Sequence, residues 1–142
     1  MARIHKSVEI KAPVEKVFSY LDDPKNSPEW MTNMIEVHDV TGSGVGKQFK
    51  WVWNLVGIHF KGESTNTEYI PNKRIVLKTK GGIDATWDFK VESQKNGTKF
   101  DVDVDYTIPV PVLGKLAEKL VLKRNERDVE MGLMNFKEKL ES

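Results

Sequence analysis

The feature that most constrains this chain is its last third. From Pro111 to Ser142 no glycine or proline cluster interrupts the sequence after Gly114, and Leu, Lys, Glu, Arg and Met dominate it. Those side chains lose little freedom in a helix, so the stretch reads as one long helix. Its apolar residues do not form a single stripe. Leu113, Leu116, Ala117, Leu120 and Val121 share a face in the first half, whereas Leu122, Val129, Leu133, Phe136 and Leu140 fall on nearly the opposite side. A helix lying flat on a sheet would not alternate in this way. The expectation is a far half gripped by the core and a near half that roofs an internal space.

The 142 residues suit one domain, residues 1–142, large enough for a single hydrophobic core. A net charge of +1, from 22 Lys+Arg against 21 Asp+Glu, gives no global field to attract nucleic acid, so any charged partner must act locally. The absence of cysteine excludes a disulfide scaffold, a thiol nucleophile and thiolate metal sites. The N-terminal residues enter an alternating pattern directly, without the apolar run of a signal peptide. A soluble cytoplasmic protein, monomeric by default, is expected.

Ile4, Val8 and Ile10 alternate with His5, Ser7 and Glu9, the period of a strand with one buried face. A short helix follows, with Pro13 at its start and Val14, Val17, Phe18 and Leu21 at i, i+3, i+4, i+7. Asp22-Asp23-Pro24 ends it, and a second short helix or turn delivers Trp30 to the next strand. From Met34 to Ile108 strands and turns succeed one another as an antiparallel meander.

Parity fixes the faces, because paired residues in a hairpin point to the same side of the sheet. A turn at Asn96-Gly97 pairs Trp87 with Tyr106, Phe89 with Val104 and Val91 with Val102, with Lys90 and Asp103 on the outer face. A loop at Lys80-Gly81-Gly82 pairs Thr79 with Ile83, Leu77 with Ala85 and Ile75 with Trp87. Around Val56-Gly57, Trp53 meets Phe60, Trp51 meets Gly62 and Phe49 meets Ser64; a four-residue loop is preferred there because valine resists positive φ. A loop at Pro71-Asn72-Lys73-Arg74 pairs Asn66 with Thr79 and Glu68 with Leu77.

This order of elements resembles the SRPBCC superfamily, the START-like helix-grip fold of lipid-transport and polyketide cyclase/dehydrase-like proteins. The resemblance rests on Ile10-Lys11-Ala12-Pro13-Val14-Glu15-Lys16-Val17-Phe18, then Leu21-Asp22-Asp23-Pro24 and Trp30. The Gly42-Ser43-Gly44-Val45-Gly46 turn, the Pro71–Arg74 turn and the closing helix extend it nearly end to end. It implies an α+β chain with a seven-stranded antiparallel sheet curved around the long C-terminal helix. Two short helices would follow the first strand, and a cavity would lie between sheet and helix.

Trp51, Trp53, Phe60, Trp87, Phe89, Phe100 and Tyr106 point inward by parity, and the family pattern sets Trp30 at the mouth. They would hold an apolar or ring-containing ligand, with Ser64, Asn66, Thr79 and Tyr106 orienting it and Leu116 and Leu120 above it. The same aromatics equally make an ordinary core. Glu68 is an inward carboxylate in this register, and Arg124 shares a helical face with Leu113, Ala117 and Leu120. Glu68, Tyr106 and Arg124 are therefore the candidate polar catalysts, against solvated or rim-paired alternatives for the two charges.

Other patterns carry less. His5, His38 and His59 are isolated, and Asp101, Asp103 and Asp105 spread along one outer strand face, so no metal site and no cofactor is expected. Like-charge neighbours on that face, Asp88 with Asp105 and Glu92 with Asp101, call for compensating lysines or arginines. Gly42–Lys47 lacks the spacing and the Ser/Thr of a phosphate-binding loop, and Asn96-Gly97-Thr98 reads as a turn rather than a glycan acceptor. Lys115, Lys119, Lys123, Arg124 and Arg127 on the long helix allow transient contact with an anionic membrane, diluted by Glu118, Glu126 and Asp128. The expected function is binding or transport of a small hydrophobic molecule such as a lipid, isoprenoid, quinone or polyketide-like ring. The alternatives are a cyclase/aromatase-type or hydrolase enzyme using the same cavity, or a protein-interaction module.

Overall fold

The computed structural model describes residues 2–107 and, from Glu118, the C-terminal helix to residue 142, with the side chains of Glu118 and Lys119 left undescribed. Leu113, Leu116 and Ala117, predicted to roof the cavity, and Lys115 lie outside the described residues. The elements run β1 (Ala2–Ile10), α1 (Val14–Asp22), a 3-10 turn (Pro24–Asn26), α2 (Ser27–Trp30), β2 (Met34–Thr41), β3 (Gln48–Leu55), β4 (Ile58–Ile70), β5 (Arg74–Gly81), β6 (Ala85–Gln94), β7 (Gly97–Tyr106) and α3 (Glu118–Glu141). The seven strands form one antiparallel sheet in the order β1-β7-β6-β5-β4-β3-β2. The predicted α+β helix-grip architecture is the one observed.

The predicted faces hold better than the predicted registers. The β3–β4 pairs are those expected, Trp53 with Phe60, Trp51 with Gly62 and Phe49 with Ser64. Their loop, however, has two residues rather than four. Val56 takes φ 45° and Gly57 φ 84°, and the Gly57 N–H donates to Asn54 Oδ1 at 2.9 Å. Positive φ at both central residues matches the twist of the hairpin, which offsets valine's reluctance.

In the β6–β7 hairpin the pairing slides by two. Trp87 faces Val104, Phe89 faces Val102 and Val91 faces Phe100. The turn falls at Lys95-Asn96, and Gly97 enters the strand opposite Gln94 because β7 passes close to β1 there: any Cβ at Gly97 would overlap the Ile10 carbonyl. The β5–β6 pairing also slides by two, to Thr79 with Ala85, Leu77 with Trp87 and Ile75 with Phe89. β5 instead continues along β4 as far as Gly81, and Thr79 Oγ1 donates to the Ile83 carbonyl at 3.0 Å, closing the connection. A slide of two leaves every side chain on its predicted face.

A slide of one does not. Between β4 and β5 the turn has three residues, Pro71-Asn72-Lys73 with Asn72 at φ 61°, and Thr67 is a bulge. Asn66 pairs with Leu77 and stays inward, whereas Glu68 pairs with Val76 and is turned outward. Tyr69 takes the inner position instead.

On the outer face Asp88 lies opposite Asp103, not Asp105, and Glu92 opposite Lys99, not Asp101. Arginines compensate the acidic pair as expected. Arg74 and Arg3 each grip one carboxylate with two hydrogen bonds of 2.8 and 3.0 Å, and the Arg3 bonds hold the Asp103 carboxyl below its usual range.

α3 presents one buried stripe from Val121 onward: Val121, Leu133, Phe136 and Leu140 are buried, and Leu122, Asn125, Asp128 and Val129 are partly so. Leu120 is 71% exposed, which corrects its placement over the cavity. One residue is about 100° of helical arc, enough to carry Leu120 to the solvent side. The core has two clusters. α1, α2 and the end of α3 close one around Trp30, Phe89, Phe100 and Phe136; the other gathers Ile4, Phe49, Trp51, Phe60, Val104, Tyr106 and Val121.

Candidate ligand cavity

Between the two clusters lies a cavity of about 110 Å³ as traced by the centre of a water molecule. A single water needs only ~10–15 Å³ on that measure, so the space is several times larger than one water. Sheet residues Phe49, Trp51, Trp53, Leu77, Trp87 and Phe89 line it, Trp30 and Met34 bound it near α2, and Asn125, Asp128 and Val129 face it from α3. Trp53, Trp87 and Phe89 form a continuous aromatic row, with Trp87 stacked on Phe89 at 5.8 Å between centroids and tilted against Trp53 at 6.2 Å.

Of the residues predicted to bind ligand, Trp30, Trp51, Trp53, Ser64, Asn66, Thr79, Trp87, Phe89 and Tyr106 line this cavity. Phe60 and Phe100 face inward but do not. Phe60 is buried in the second cluster, and Phe100 is fully buried with its ring 4.7 Å from that of Phe136. Leu120 faces solvent, and Leu116 lies outside the described residues. Trp51 rests on Gly62, where a Cβ would overlap its ring and approach the Lys80 carbonyl to 2.6 Å. The indole N–H of Trp51 donates to Ser64 Oγ at 3.0 Å.

The predicted polar patch already has protein partners. Thr79 donates to the Ile83 carbonyl, Ser64 accepts from Trp51, and Asn66 Nδ2 donates to the Gly44 carbonyl at 3.1 Å. Of the three candidate catalysts only Tyr106 lines the cavity. Glu68 is exposed beside Arg74 at 3.5 Å, because the Thr67 bulge inverts it. Arg124 is exposed at a small polar niche with Asn54, Val56 and Asp128 beyond the main cavity. Burial raises the Tyr106 pKa, partly opposed by the hydrogen bond that Asn125 Nδ2 donates to its oxygen at 2.9 Å, so the phenol is protonated at neutral pH.

The polar lining residues Asp22, Asn33, Lys47, Asn125 and Asp128 escaped the sequence reading. Lys47 is 9% exposed, and its ammonium donates to the Asp22 carbonyl at 2.7 Å and to Asp22 Oδ1 at 2.8 Å. The Tyr69 hydroxyl donates to the other Asp22 oxygen at 2.8 Å. Burial, and then this bond to the carboxylate, push the Tyr69 pKa up to about 12. On the α3 side, Asn33 Nδ2 donates to Asp128 Oδ2 at 2.6 Å, tying the α2–β2 connection to the helix. Parity with Phe49, Trp51 and Trp53 marks Lys47 as inward. The i+4 and i+7 positions after Val121 mark Asn125 and Asp128.

A curved antiparallel sheet packed against a long C-terminal helix, with an apolar cavity between them, is the architecture of the helix-grip class. The chain matches the family described as polyketide cyclase / dehydrase and lipid transport over residues 1–141, and it belongs to that family. Among curated proteins it is 24% identical over 82 residues to an uncharacterized 17.2 kDa protein of the melC2-rnhH intergenic region of Streptomyces lincolnensis; the match spans 58% of this chain and 52% of that protein. The solved structure of TTHA0849 from Thermus thermophilus superposes with a TM-score of 0.84 at 20% identity, covering 97% of this chain and 96% of that one. The Zhui aromatase/cyclase of Streptomyces sp. R1128 superposes with a TM-score of 0.76 at 13% identity, covering 98% and 93%. At such identities these structures show the shared fold alone.

Proposed function

We propose that the chain binds a small hydrophobic, ring-containing molecule in the cavity between sheet and α3, as a carrier or binding protein. The observation that carries this reading is the aromatic row Trp53–Trp87–Phe89 lining an open apolar space instead of being packed shut. Apolar burial would supply the affinity, at roughly 25 cal/mol per Å². Family membership is compatible with both transport and cyclisation. Binding is favoured because the lining cation Lys47 is paired with Asp22 and one oxygen of Asp128 is tied to Asn33.

The reading is tested by titrating a neutral fluorescent naphthalene probe into wild-type protein and single variants. Removing the Trp87 ring takes away contact on the order of 60 Å², or ~1.5 kcal/mol, so Trp87→Ala is expected to weaken binding about tenfold. Lys90→Ala on the outer face should leave it unchanged. Equal effects of the two substitutions would sink the assignment of the pocket.

A further inference from the structure

The charge balance of the cavity restricts what can enter it. Among the described lining residues the charged groups are Asp22, Lys47 and Asp128. The one cation is neutralised in place, because Lys47 directs two ammonium N–H donors at Asp22, from 2.7 and 2.8 Å. The second carboxylate, Asp128, stands on the opposite wall with one oxygen held by Asn33. Among the described lining residues a ligand carboxylate or phosphate would therefore meet no available cation, Arg124 being exposed in the polar niche outside this lining, and would approach Asp128, a like charge in a partly desolvated space.

Tyr106 offers a different chemistry. It is 7% exposed and lines the cavity, and its oxygen accepts from Asn125 Nδ2. Its own proton has no acceptor among the described residues. A hydroxyl placed this way has a proton to give to a ligand oxygen, and burial without such a partner costs free energy.

We propose that the cavity selects an uncharged ring compound bearing a carbonyl acceptor and excludes carboxylates, with Tyr106 donating to the carbonyl oxygen and Asp128 repelling anions. This deepens the binding reading above and rests on it. It separates neutral ketone- or quinone-type rings from fatty acids, two kinds of ligand that an apolar cavity alone does not distinguish.

Three probes of one shape test it by equilibrium dialysis at pH 7: 2-acetylnaphthalene, 2-ethylnaphthalene and 2-naphthoate. The ketone should bind about tenfold more tightly than the hydrocarbon, the worth of one buried hydrogen bond. The naphthoate, ionised at this pH, should bind most weakly. Tyr106→Phe should bring the ketone down to the level of the hydrocarbon while leaving 2-ethylnaphthalene within twofold, and Asp128→Asn should raise naphthoate affinity several-fold. Naphthoate binding as tight as the ketone in wild-type protein would overturn the proposal, whether or not the variants fold. So would an equal loss of ketone and hydrocarbon in Tyr106→Phe, which is the signature of a packing defect. If the hydrocarbon binds while these contrasts are absent, only the selectivity fails; if none of the three binds, the cavity reading fails and takes the selectivity with it.

Discussion

Tyr69 and Glu68 exchange faces because of one residue. The Thr67 bulge turns the carboxylate into solvent and brings a phenol against the core, where its hydroxyl reaches Asp22. All three tyrosines of the chain are shifted the same way. Burial is the largest cause in each, followed by a hydrogen bond to a carboxylate for Tyr69 and for Tyr20, whose hydroxyl donates to Glu29 at 2.8 Å. Each folded-state pKa therefore lies above its unfolded value of about 10. Neutral tyrosine is favoured in the folded protein, so this stabilisation is complete below about pH 10 and, for Tyr69, is lost as pH rises toward about 12. Ultraviolet tyrosinate absorbance during an alkaline titration should show no ionisation near pH 10 while the protein stays folded, and then a rise that coincides with unfolding. A tyrosine titrating normally in folded protein would contradict it. None of this was legible in the sequence, because alternation carries no sign of a bulge, and the bulge decides which of two neighbours faces inward.

At the scale of elements, the hairpins show why faces were easier to read than partners. Two of the four loops tested by parity shifted by two residues, at Lys95-Asn96 and beyond Thr79, and no inward residue changed sides. The causes are distant contacts: β1 crowding Gly97, and β4 continuing to pair with β5. Residues outside a hairpin exert both, so a local pattern cannot carry them. α3 offers the converse lesson. Its described part has a single buried stripe, and the apparent second face failed at Leu120, whereas the stripe holds two polar residues that apolar periodicity passed over. The helix is gripped at its far end, where Phe136 meets Trp30 at 5.2 Å and Phe100 at 4.7 Å. Phe136→Ala should cost about 3–5 kcal/mol in urea unfolding. Leu120→Ala should stay within about 0.5 kcal/mol of wild type, as exposed sites do. Comparable losses would place Leu120 in the core after all.

Across the whole molecule, the cavity follows from how sheet and helix meet. Two aromatic-rich clusters close the ends, and the lining between them is drawn from α1, α2, α3 and all seven strands. The cavity was legible as a set of inward aromatics, since bulky side chains on one parity must meet on one side of the sheet. Its polar equipment was not, because the Lys47–Asp22 and Asn33–Asp128 pairs join residues 25 and 95 positions apart. The chain's four tryptophans all line the cavity, so their indole N–H resonances report on it directly. The decisive measurement is an NMR titration of isotopically labelled protein with 2-acetylnaphthalene. The account predicts that the Trp51, Trp53 and Trp87 indole signals shift and saturate together, while the backbone amides of outer-face residues such as Lys90 and Asp101 stay in place. Saturating shifts confined to the outer sheet or to the exposed side of α3, with the indoles unmoved, would contradict it.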